Sequence, residues 1–128
     1  MRTLRREQRL VQFRAYIEAR LDDPDFELGD VARYFGLTDR CVRGIFHTTA
    51  ETLSAFVLRR RLERAAHLLI DEQRAGDTIL SIALDCGFND AACFSRQFHR
   101  HFGTTARFYR KNGGVKPIAS VSASDCVL

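Results

Sequence analysis

Leu10, Phe13, Ile17 and Leu21 recur three or four residues apart, which predicts an amphipathic helix over about residues 6–21, halted by Asp22-Asp23-Pro24. Leu28, Val31, Ala32 and Phe35 then mark the inner face of a helix over 28–35, and Val42 and Phe46 that of another over 39–47. From Thr52 a single apolar stripe of Leu53, Phe56, Val57, Leu62, Ala65, Ala66 and Leu69 predicts a long helix to about Ile70. Asp71 to Gly76 reads as a loop. Thr78 is placed to cap a helix over 79–86, and Asn89 or Asp90 to start another that runs to about Phe102 and buries Phe94 and Phe98. Gly103 ends it, Thr105 caps a short last helix, and Phe108-Tyr109-Arg110 is expected to close the core. After Lys111 the periodicity dissolves, so residues 111–128 read as a flexible tail. The expected fold class is all-α, with about seven helices.

Two stretches repeat one another. Val31-Ala32 … Gly36-Leu37-Thr38 is matched by Ile82-Ala83 … Gly87-Phe88-Asn89, and each is followed by an amphipathic run ending in Phe. Gly36 and Gly87 stand 51 positions apart, as do Val31 and Ile82, whereas Phe46 and Phe98 are 52 apart because the second turn is one residue longer. In each unit an apolar pair anchors a first helix, a glycine permits the sharp turn, and Thr38 or Asn89 caps the second helix. The second helix of such a hairpin is the one that enters a DNA major groove. The chain thus divides into a double helix-turn-helix domain over 1–110 and the tail. Within the domain, a first unit (about 6–50) and a second (about 78–110) are joined by the long central helix (about 52–70).

Charge by itself reads as an arginine-rich solvated surface, and the positions of the arginines must decide whether nucleic acid is the partner. The 128 residues carry a net charge of +4, and 18 of the 20 basic residues are arginine, whose planar fork suits phosphate and guanine. A hydrophobic fraction of 45% excludes wholesale disorder. Arg59-Arg60-Arg61 and Arg64 on the long helix read as a solvated face, with Arg61 a candidate for an ion pair. No run approaches the ~20 apolar residues of a membrane span, and no signal-like segment follows Met1, so a cytoplasmic protein without a membrane partner is expected. Cys41, Cys86, Cys93 and Cys126 do not match paired zinc spacing and read as free thiols. Cys86 and Cys93 with His99 and His101 are not expected to bind metal. No nucleophile and base, carboxylate pair or phosphate loop is evident, so neither an enzyme nor a cofactor is expected.

The motif Ser81-Ile82-Ala83 … Cys86-Gly87-Phe88-Asn89-Asp90 … Phe94-Ser95-Arg96-Gln97-Phe98 … Phe102-Gly103 … Tyr109-Arg110 closely resembles the C-terminal signature of the AraC/XylS family of bacterial transcription regulators. Arg61-Leu62-Glu63-Arg64-Ala65 and the first unit fit as well, so the resemblance covers roughly residues 10–110. It implies a seven-helix domain whose two recognition helices enter successive major-groove segments of double-stranded DNA, and contact with RNA polymerase. Gly44 stands where the family typically places Arg, Ala50 where it has Gly, and Ala106 where it has Pro.

In the first unit, Arg40, Arg43 and His47 form one polar stripe that includes Gly44. In the second, Ala91, Ala92, Cys93, Ser95 and Arg96 face the DNA. Ala and Cys would touch thymine methyls, with Arg96 the strong polar reader and Arg100 a phosphate contact. Arg107 and Arg110 are further phosphate candidates. The tandem arrangement predicts binding of DNA as a monomer. The rival reading is a degenerate helix-turn-helix domain that docks on a protein and has lost specific DNA readout.

Overall fold

The computed structural model describes residues 2–114, with side chains from Arg5 onward. These residues form seven α-helices, one 3₁₀ turn and no strand: α1 (Arg2–Glu18), α2 (Leu28–Phe35), α3 (Asp39–His47), α4 (Leu53–Leu69), the 3₁₀ turn Glu72–Arg74, α5 (Ile79–Asp85), α6 (Ala91–Phe102) and α7 (Ala106–Lys111). The chain divides into two compact units, Met1–Arg60 and Arg61–Leu128.

In the first unit α1, α2 and α3 pack on one another around Phe13, Ile17, Leu21, Val31 and Val42, all fully buried. The start of α4 adds Leu53, Phe56 and Val57 to the same core. Phe13 stacks on Phe46 at 6.0 Å and tilts against Phe35 at 5.0 Å, which clamps α1 to both arms of the hairpin. Helix α1 starts four residues earlier than the hydrophobic pattern predicts and stops three earlier. Leu21 is nevertheless buried, because turns closed by Arg20 N–H to the Ile17 carbonyl (2.9 Å) and Asp23 N–H to that of Arg20 (3.1 Å) carry it inward without helix. Ile45 is a core residue that the predicted inner face of α3 omitted.

The second unit buries Leu62, Ala65, Ala66 and Leu69 of α4, Ile82 and Ala83 of α5, and Phe94 and Phe98 of α6. Rings run through it in sequence: Phe88 to Phe94 (5.0 Å), Phe94 to Phe98 (5.5 Å), and Phe98 to Phe102 (4.5 Å) and Tyr109 (5.5 Å). The expected loop after α4 contains the 3₁₀ turn, capped by Asp71 through its carboxylate and Gln73 N–H at 2.9 Å. Two features of the C-terminal end depart from expectation. Phe108 is 40% exposed, and Tyr109 alone of the trio supplies a ring to the core. Arg110 reaches back instead, donating to the carbonyls of Asp77 (2.6 Å), Arg74 (2.7 Å) and Ala75 (3.1 Å). It therefore ties α7 to the 3₁₀ turn, and its assignment as a phosphate contact is replaced by this structural one.

Helix α7 includes Lys111, and Gly114 N–H donates to the Tyr109 carbonyl at 2.8 Å, so described structure continues past the expected start of the tail at residue 111. The rest of that tail, 115–128, lies outside the described residues.

Candidate nucleic-acid interface

The two hairpins share one turn. Gly36 and Gly87 both have positive φ (66° and 94°). The following amide closes back onto the alanine of the apolar pair, Leu37 N–H to the Ala32 carbonyl (2.8 Å) and Phe88 N–H to that of Ala83 (3.1 Å). This is the reverse bond that ends a helix when glycine takes the left-handed conformation. A side chain at Gly36 would meet no atom within 4 Å, so the glycine is required by backbone angle and not by space.

The caps then set where each second helix starts. Thr38 Oγ1 accepts from Cys41 N–H at 3.1 Å and begins α3, while Asp90 Oδ1 accepts from Cys93 N–H at 2.7 Å and begins α6. The sequence left Asn89 and Asp90 as alternatives for the second cap; Asp90 takes it, and Asn89 is the extra residue of the longer turn.

On α3, Val42, Ile45 and Phe46 face the core, which leaves Arg40, Arg43, Gly44 and His47 together on the exposed side. On α6, Phe94 and Phe98 face inward, and Ala91, Ala92, Ser95, Arg96 and Arg100 are exposed. Cys93 is only half-exposed, at the edge of that face. His99 also belongs to the exposed face, four residues after Ser95. Its omission from the expected reader set has no geometric basis, since the helical period alone puts it there.

The arginines fall into two groups. Arg59 grips Glu51 with two bonds (2.7 and 3.0 Å), Arg60 pairs with Glu18, Arg33 with Asp30, and Arg74 with Asp77 and Asp85. The Asp77 hydrogen bond foremost, then that of Asp85, raises the Arg74 pKa above its ordinary value. The expected solvated face on α4 is thus partly spent on ion pairs. By contrast Arg40, Arg43, Arg96 and Arg100 have no ion pair among the described residues.

The cysteines differ in the same way. Cys86 is fully buried against the core, and desolvation pushes its thiol up to about 11, whereas Cys41 is exposed on α3. Among the described residues, no three His, Cys, Asp or Glu side chains gather as a metal site would require, and no helix is long and apolar enough to cross a membrane.

Two hairpins with the same turn, each presenting a capped second helix whose outer arginines have no ion pair among the described residues, define a tandem helix-turn-helix protein. A protein-family model described as a helix-turn-helix domain matches residues 31–112. The transcriptional activator NphR of Rhodococcus is 35% identical over 111 residues, which are 84% of this chain and 31% of that protein. The regulatory protein SoxS of Escherichia coli is 34% identical over 97 residues, 75% of this chain and 87% of its own. A transcriptional regulator with an AraC-type DNA-binding domain from Chromobacterium violaceum superposes with a TM-score of 0.76 at 27% identity, covering 87% of this chain and 96% of that one. The chain belongs to the AraC/XylS family of helix-turn-helix transcription regulators. It spans less than a third of the length of NphR and of the activator RhrA of Rhizobium meliloti.

Gly44 offers a direct test of the α3 face. It sits mid-helix, and a Cβ there would meet nothing within 4 Å, so any side chain is free to project outward. Gly44→Arg is expected to raise stability by about 1 kcal/mol through helix propensity and to tighten DNA binding through one more cation beside Arg40 and Arg43. Thermal unfolding and titration with duplex read the two effects. Weaker binding by a more stable protein would mean that the DNA backbone approaches this position too closely for a side chain.

Proposed function

We propose that the chain reads double-stranded DNA in a sequence-specific manner as a monomer, with α3 in one major-groove segment and α6 in the next, and so regulates transcription in the cytoplasm. The carrying observation is that Arg40 and Arg43 on one helix and Arg96 and Arg100 on the other have no ion pair within the described protein and stand on the exposed faces of the two second helices, whereas Arg33, Arg59, Arg60 and Arg74 are paired with carboxylates. Unneutralised guanidinium groups on a capped, outward helix face are what base edges and phosphates recognise. Arg40, Arg43 and Arg96 act as base readers, with His47 and Ser95 beside them. Ala91, Ala92 and Cys93 give α6 an apolar edge suited to thymine methyls, and Arg100, in the last turn, suits a phosphate. Contact with RNA polymerase is part of the proposal, supported by relatives that are named transcriptional activators. The degenerate-module reading draws no support from relatives that are named transcriptional activators.

Arg96→Ala tests the assignment. Affinity for a duplex selected from a random pool is expected to fall by about 1–3 kcal/mol, with base preference relaxed at one position of the second segment. Affinities for the selected site and each single-base variant measure this, and an unchanged preference profile would remove Arg96 from the readers.

A further inference from the structure

Helix α1 does more than brace the hairpin. Its first half carries Arg5, Arg6 and Arg9, and the helix packs against α3. A groove of about 530 Å³ between them is lined by those three arginines together with Arg40, Cys41 and Gly44. Its far wall shares Arg40 and Gly44 with the exposed stripe of α3. None of the four arginines has an ion pair among the described residues, and Glu7 is the single carboxylate within the first turns of α1. The amino end of a helix carries partial positive charge and favours carboxylates, yet the first turn of α1 contains no acidic residue.

We infer that this α1–α3 groove is a phosphate-binding extension of the DNA interface: Arg5, Arg6 and Arg9 hold backbone phosphates flanking the segment that α3 reads. The occupant is a DNA strand because the groove is continuous with the α3 face, so a duplex seated on Arg40 and Arg43 carries its own phosphates past α1. The contacts are to the backbone, and they strengthen binding without choosing bases. This inference rests on the assignment of α3 as a reading helix.

The test compares wild type with the triple variant Arg5→Gln, Arg6→Gln, Arg9→Gln on the selected duplex over a range of salt. Glutamine keeps helix propensity and removes charge. The slope of log affinity against log salt is expected to become shallower by roughly 2–3, since each neutralised phosphate contributes about 0.9, and the ranking of single-base variants should stay unchanged. Shortening the duplex by one helical turn on the α3 side should weaken wild type and leave the triple variant little affected. An unchanged slope in a protein that still binds the selected site overturns the inference and leaves the α3 assignment standing. Arg43→Ala provides the separate control: if it leaves base preference untouched, the α3 assignment fails whatever the triple variant does. Should the triple variant unfold by circular dichroism, the three single variants replace it, each expected to change the slope by about 1, and three unchanged slopes reject the groove.

Discussion

Phe98→Ala is expected to unfold the second unit under conditions where wild type is fully folded. Phe98 is completely buried, and its ring meets Phe94, Phe102 and Tyr109 within 5.5 Å, so it joins α6 to α7. Truncating a buried phenylalanine costs about 3–5 kcal/mol, the lost transfer energy plus the cavity left behind. A small domain has only about 5–15 kcal/mol in total. Chemical denaturation followed by far-ultraviolet circular dichroism should show a separate early transition, and binding at ordinary temperature should lose the contribution of α6. Phe98→Leu should cost much less, because it retains most of the volume. A loss below about 1 kcal/mol for the alanine variant would mean that α6 is held by other contacts.

The second large effect concerns the DNA site. Helix α4 is one uninterrupted helix of 17 residues that belongs partly to each unit, and at 1.5 Å per residue it is about 25 Å long. The proposed reading, with α3 and α6 of one chain in successive major-groove segments, predicts that affinity depends on the spacing of those segments. Inserting five base pairs between the segments turns them by about half a helical turn relative to each other. Affinity is expected to fall at least about a hundredfold, on the order of 3 kcal/mol, equivalent to losing one to three base contacts. The intact complex should contain one protein chain per duplex by light scattering. Affinity indifferent to the insertion, or a complex of two chains per duplex, would show that α3 and α6 of one chain do not read DNA together.

Several elements were legible because their causes are local. Thr78 and Thr105 cap α5 and α7 through bonds three residues ahead, to Ser81 N–H and Phe108 N–H, both at 3.0 Å. The α2 and α3 ranges and the buried stripe of α4 also agree with the apolar spacing. Local chemistry was less decisive where two neighbours compete. Asn89 and Asp90 both suit a cap, and the difference depends on which backbone amides the turn aims at the side chain. Residues 19–22 have acceptable helical spacing, yet the chain leaves the helix after Glu18 and still buries Leu21 through turns. The exposed faces of α3 and α6 were legible from period alone, because a residue's exposure follows once the opposite face is known to be apolar.

The sequence by itself determined an all-α chain with two copies of one glycine turn, the positions of the helices, and the outward faces on which arginines stand. Each of these depends on bonds or angles spanning a few residues. Only the tertiary structure decided what each arginine does. Arg110 meets carbonyls 33 to 36 residues before it, and Arg60 meets Glu18, 42 residues away, so both are committed to the fold. Arg5, Arg6 and Arg9, on a helix that reads as a mere brace, come to share a groove with Arg40. A long flexible cation takes whichever partner the fold brings within reach, and that proximity is set by the packing of distant helices, which no local spacing records.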